Sequence, residues 1–211
     1  GDEVRIINAT EYNEAVVVNR SVILTSNTSS LPTVWTSGSS STINITVGYV
    51  NITRLIVKFN GTTDFRNAIE ARNIQNITIE NNTIITRFLG TTDGPSRPAI
   101  NFTSTNSSRI SNNTIFTNGT ADHNFGVSLL RSYNDIISSN TIYTNGTDGN
   151  IGVWSEYSDN NNISYNLIYT NGSSADNHGI WLFVASSYNN ISFNTIYTNG
   201  TNNNDGIGRM L

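Results

Sequence analysis

Four acidic residues, Asp122, Asp148, Asp176 and Asp205, recur in successive stretches of the chain, and two histidines, His123 and His178, lie among them. Carboxylates brought into a row can hold Ca²⁺ through several oxygen ligands, or act as paired acid and base on a glycosidic bond. Each acid follows an Asn-Gly pair, but by 4, 3, 5 and 6 residues, so the register drifts. Catalysis needs side chains held to a fraction of an ångström on rigid elements, and loops of changing length do not provide that. The expected role of these acids is therefore a solvated loop edge, with weak Ca²⁺ binding as the alternative. The histidines fall two repeats apart, which separates them by about 10 Å and leaves no shared ligand. Neither has a serine elbow near it, and there is no phosphate-binding glycine loop. No residue is assigned to catalysis, to a cofactor or to a structural metal, and the expectation is of a protein that is not an enzyme.

What must position these residues is a repeat. The phrases beginning at Asn113, Asn140, Asn166 and Asn194 are nearly identical (Asn-Thr-Ile-Tyr-Thr-Asn-Gly is typical), with spacings of 27, 26 and 28 residues and a looser copy at Asn82. A second marker, glycine followed by an apolar residue, recurs at Gly126, Gly152, Gly179 and Gly206. Two markers with one period define a repeat architecture. Each repeat holds short β-rich pieces between Asn, Gly, Ser and Asp turns, and no stretch has helical periodicity. A period near 27 without helices fits a coil of three short parallel strands, each coil stacked about 4.8 Å from the next. The whole chain then makes about eight coils and a rod of roughly 40 Å.

Stacking turns sequence columns into physical ones. Ile79, Ile110, Ile137, Ile163 and Ile191 form one inward column; Ile84, Ile115, Ile142, Ile168 and Ile196 form a second; and Val127, Val153, Ile180 and Ile207 form a third. Between the first two lie Asn82, Asn113, Asn140, Asn166 and Asn194, placed to form an amide ladder that satisfies a tight bend. None of the five begins an Asn-X-Ser/Thr triplet, as suits buried amides. Asn118, Asn145, Asn171 and Asn199 each precede glycine and each do begin one, so they are expected in turns at the exposed edge as N-glycosylation acceptors. Alternation points Phe116, Tyr143, Tyr169 and Tyr197 outward beside the second isoleucine column, and places Trp154 and Trp181 outward in equivalent positions. Such aromatics are possible contacts for sugars or for other chains.

These residues, above all the Asn-X-Ile-X-X-Asn phrase at 113–118 and its copies, resemble the right-handed parallel β-helix repeat family. The match is clearest from Asn67 to Gly206. The less regular residues 1–66, with Ala15-Val-Val-Val and Leu55-Ile-Val-Lys-Phe, resemble opening coils of such proteins, and one domain spans 1–211. The family includes polysaccharide lyases and hydrolases, a periplasmic copper-maturation factor and archaeal adhesin-like surface proteins, and fold alone does not choose among them. Lyases of this type use acidic Ca²⁺ ligands near a basic residue; Arg131 and Glu156 are of the right types but carry no family motif.

Composition narrows the classes. Lys58 is the only lysine, arginines are scattered and the net charge is −4, so no basic stripe exists for nucleic acid or acidic lipid. There is no cysteine, and no apolar run nears the roughly 20 residues that cross a bilayer. Seventeen Asn-X-Ser/Thr triplets, beginning with Asn8, Asn19, Asn27, Asn44 and Asn51, fit a secreted chain, and the start Gly1-Asp2-Glu3 reads as a mature form. The strand-like Val4 and Ile6 at one end, with Ile207 and Met210 at the other, are expected to stack subunits head to tail. The sequence thus points to an extracellular, self-assembling coat, sheath, S-layer or filament protein of archaeal type, with cell-surface glycans as further partners. The alternatives are a carbohydrate-binding or polysaccharide-degrading β-helix, or an adhesin module.

Overall fold

The computed structural model describes residues 2–7, 11–61, 66–88, 96–120 and 122–210; the triplet at Asn8 and the terminal Leu211 lie outside them. The described residues contain 24 strands and no helix. They are arranged in three eight-stranded sheets, each entered once per coil. The first sheet runs from Asp2–Ile6 to Asn190–Ser192, the second from Glu11–Asn13 to Thr195–Asn199 and the third from Val16–Val18 to Ile207–Arg209. Every strand pairing is parallel, and Asn113, Asn140, Asn166 and Asn194 follow one another at offsets of 27, 26 and 28 residues.

The three predicted apolar columns stand in register. Ile79, Ile110, Ile137, Ile163 and Ile191 pair successively in the first sheet. Ile84, Ile115, Ile142, Ile168 and Ile196 do so in the second, and Val127, Val153, Ile180 and Ile207 in the third. Most of these side chains are fully buried in one continuous core. The glycine marker has a steric cause. Gly126, Gly152 and Gly179 face inward where the third sheet meets the second, and a Cβ on Gly126 would lie 2.6 Å from the Gly152 carbonyl oxygen and collide with Ile142. Gly152 and Gly179 meet Ile168 and Ile196 in the same way.

The amide ladder sits at the bend between the first and second sheets. Asn113 shows its logic: its backbone N–H and its Nδ2 both donate to Asn140 Oδ1, at 3.0 and 3.1 Å, and Nδ2 also donates to the Ile79 carbonyl at 2.8 Å. Asn82, Asn140 and Asn166 repeat the pattern. One side chain per coil thus satisfies the buried N–H at the bend, where the coil-to-coil backbone ladder is interrupted.

Two expectations change. The Asn-Gly pairs at 118, 145 and 171 are not in turns: the strands Thr114–Gly119, Thr141–Gly146 and Leu167–Gly172 run straight through them. The asparagines are exposed all the same, because strand alternation sends them to the outer face. The strands of Val4 and Ile207 also do not face one another across a stack. They are edge strands of different sheets, so continuing the three sheets would set the Val4 strand against Asn190–Ser192 and the Ile207 strand against Val16–Val18.

Candidate functional site

The loops between the second and third sheets hold the acids, and a second amide ladder that sequence reading missed sets their positions. Asn124 Nδ2 donates to Asn150 Oδ1 (3.1 Å), Asn150 to Asn177 (2.7 Å) and Asn177 to Asn204 (3.2 Å). The signal was present: each of the four stands two residues before a marker glycine, and none begins an Asn-X-Ser/Thr triplet.

Counted from this ladder, the acids do not form one row. Asp122 and Asp148 stand two residues before it, Asp176 one before and Asp205 one after, so the drift in spacing becomes a spread over three columns. Among the described residues no group of three or more His, Asp or Glu side chains is placed to share a metal ion. The column that contains Asp176 is unusual in its backbone. His123, Gly149, Asp176 and Asn203 all have left-handed φ values of 58°, 60°, 54° and 48°. Gly149 adds space to this conformation, since a Cβ there would lie 2.7 Å from His123 Cδ2.

Above these loops, on the third sheet, lies a cleft of about 560 Å³. His123, Asp176, His178 and Asp205 line it together with Phe125, Trp154, Trp181, Phe183 and Met210. Trp154 and Trp181 pair in register, yet each indole packs against different neighbours, Trp154 with its ring tilted to theirs and Trp181 stacked. Trp154 lies 5.2 Å from Phe125 and 6.1 Å from Phe183, whereas Trp181 lies 4.0 Å over His178, tilted by only 17°. The space Trp181 takes comes from Gly208, the residue in register in the next coil, where any Cβ would strike the indole.

His178 is buried, and its Nδ1 accepts the Asp205 N–H at 3.1 Å, which leaves the ring proton on Nε2. Burial holds its pKa below the usual histidine value, with the carboxylates of Asp205 and Asp176 working in the opposite direction. Burial thus favours the neutral ring, and the other ionisable groups that line the cleft are Asp176, Asp205 and His123. No Lys or Arg lines it.

The other predicted residues lie elsewhere. Phe116, Tyr143, Tyr169 and Tyr197 form a column on the outer face of the second sheet, with ring centroids 5.0, 4.9 and 5.0 Å apart and planes within 9° of parallel. Their faces cover one another, so this column offers ring edges and hydroxyls, not the open faces on which a sugar stacks. Beside it Asn171 Nδ2 donates to Asn145 Oδ1 at 3.4 Å, and Asn199 Nδ2 to Asn171 Oδ1 at 2.9 Å. Arg131 and Glu156 lie at the C-terminal ends of neighbouring third-sheet strands, where the Arg131 N–H donates to the Glu156 carbonyl at 2.9 Å and the guanidinium lies 5.5 Å from the Tyr157 ring centroid. Burial raises the Glu156 carboxyl pKa and Arg131 opposes this. Neither reaches the cleft.

A family model described as a right-handed β-helix region matches residues 34–208. Two solved structures are similar. One is the enzymatically active domain of tailspike protein 2 of bacteriophage CBA120, with a TM-score of 0.45 and 11% identity over 100% of this chain and 42% of that one. The other is the A-module of a mannuronan C-5 epimerase of Azotobacter vinelandii, with a TM-score of 0.33 and 12% identity over 97% of this chain and 88% of that one. No curated protein matches the chain.

Proposed function

The chain belongs to the right-handed β-helix family, and from that premise we propose that it is an extracellular saccharide-binding protein whose ligand lies in the aromatic cleft of the third sheet. The observation that carries the reading is the divergence of Trp154 and Trp181, which are equivalent in register but turned to different neighbours, so that a cleft of about 560 Å³ is lined by both indoles. Aromatic walls with a few polar groups are what a sugar ring needs: apolar C–H faces stack, and hydroxyls find Asp176, Asp205, Asn203 and the histidines. The seventeen Asn-X-Ser/Thr triplets support the placement outside the cell.

Tryptophan emission tests this. Oligosaccharides spanning neutral, amino and acidic types should shift the emission of the parent protein, and Trp154→Ala should weaken the binding member by about 10-fold, the worth of one aromatic contact. If no oligosaccharide changes the emission or the amide spectrum at millimolar concentration, the reading is wrong.

A second reading, a structural rod that self-associates in a coat, sheath or filament, is favoured by a different observation. The outer face of the last four strands of the second sheet carries only Thr114, Thr141, Leu167 and Thr195, the aromatic column and the asparagine column, with no charge. Flat, uncharged ladders of this kind are the surfaces that pair in cross-β zippers.

A further inference from the structure

Resting on the saccharide reading, we infer that the cleft selects a positively charged ligand, an amino sugar with its amine free and protonated. The argument is one of charge against aromatic surface. The ionisable groups lining the cleft are Asp176, Asp205, His123 and His178, and no Lys or Arg is among them. His178 cannot serve as the counter-charge for Asp205 near neutral pH. Its Nδ1 already accepts the Asp205 backbone N–H at 3.1 Å, and the Asp205 carboxylate stands 3.7 Å from the same nitrogen. That distance is an ion pair only if the ring takes a second proton, and burial of the ring opposes this. Among the described residues no Lys or Arg forms an ion pair with Asp176 or Asp205.

Two carboxylates that lack a basic partner therefore border a space walled by Trp154, Trp181 and Phe183. An ammonium group placed there meets both kinds of attraction at once, the carboxylates and the negative face of an indole. A uronic acid meets the reverse, since its carboxylate would face two like charges with no cation to receive it. A neutral or N-acetylated sugar gains the stacking and its hydroxyl contacts without the charge attraction.

The test compares oligomers of glucosamine, N-acetylglucosamine, glucose and glucuronic acid, together with tetramethylammonium, by isothermal titration calorimetry at pH 6.5 in low salt. The expected result is that glucosamine oligomers bind at least 10-fold more tightly than N-acetylglucosamine or glucose oligomers, and that glucuronic acid oligomers do not bind. Two variants report on the carboxylates. Asp176→Asn keeps a residue that tolerates the left-handed backbone, since Asn203 occupies the same column at φ 48°. Combined with Asp205→Asn it should bring the ratio of glucosamine to N-acetylglucosamine affinity from at least 10 down to about 1, and an unchanged melting temperature shows that the fold is intact.

Equal binding of glucosamine and N-acetylglucosamine oligomers, or a preference that survives the double variant, overturns the charge inference and leaves the saccharide reading standing. Tight binding of tetramethylammonium without any oligomer binding overturns the amino sugar and the saccharide reading together. Preferential binding of glucuronic acid overturns the charge inference outright.

Discussion

At the scale of single residues, the stacked coils make one side chain do the work of a backbone ladder. Asn113 satisfies its own bend and its neighbour's through three donated hydrogen bonds. Asp135 shows the rule by breaking it. It stands in a third interior column with Asn161 and Asn189, where its backbone N–H donates to Asn161 Oδ1 and the Asn161 N–H donates to Asn189 Oδ1, each at 2.8 Å. Burial pushes its carboxyl pKa from the ordinary 3.8 to about 6, against the pull of hydrogen bonds from the Ser108 N–H and the Thr105 hydroxyl. A carboxyl with its folded pKa raised favours the fold when protonated. The contribution is therefore fully present below about pH 4 and is lost as pH rises from 4 to 6. The difference between 6 and 3.8 corresponds to about 3 kcal/mol. Asp135→Asn should raise stability at pH 7.5 by roughly 1–3 kcal/mol in urea unfolding and leave it nearly unchanged at pH 4. The comparison of variant with parent isolates Asp135 from His178, whose preference for the neutral ring acts in the opposite direction. A variant that is weaker at both pH values would show that the Thr105 and Ser108 contacts outweigh the buried charge.

At the scale of elements, the corner between the third and second sheets depends on a column of small residues. The inward face of Gly152 leaves no room for a methyl group between Ile168 and the Gly179 carbonyl. Gly152→Ala should destabilise the protein by about 2–3 kcal/mol through overpacking. Gly206, whose ideal Cβ finds its nearest neighbour at 4.0 Å, should accept alanine with little change. Thermal melts of the two variants decide the matter, and equal losses would mean that the corner yields easily. This column was legible in sequence as a recurring glycine, and its reason was not, because Ile142, Ile168 and Ile196 reach it from a different sheet.

At the scale of the whole molecule, the charge is unevenly placed over the second sheet. Lys58 and Arg87 lie on its earlier strands, and from Thr114 onward its outer face is uncharged. If copies associate laterally, this face is where they meet, with ring edges and amides interdigitating at the common repeat of about 4.8 Å. Sedimentation of the unglycosylated protein at rising concentration should show association, and Tyr143→Lys with Tyr169→Lys should abolish it by placing two like charges one coil apart. Association that survives both substitutions would move the contact to another face. The same variant should leave the saccharide binding proposed for the cleft at Trp154 unaffected, since the cleft lies on the third sheet.

The amino-acid sequence by itself determined the period, the parallel stacking, the three apolar columns and the first amide ladder. In a solenoid these contacts join each residue to its equivalent about 27 positions away, so a repeat in sequence is already a contact in space. It also showed that Asn118, Asn145 and Asn171 are exposed, although the reason is strand alternation and not the turn expected from the following glycine. Only the tertiary structure decided what equivalent residues do when their surroundings differ. Trp154 and Trp181 share a register, but Phe125 and Phe183 draw one indole aside while His178 and the space over Gly208 hold the other. Asp122, Asp148, Asp176 and Asp205 fall in equivalent loops, but the second ladder spreads them over three columns. Where loop lengths vary, equivalence in sequence no longer sets position, and side-chain packing between neighbouring coils takes over.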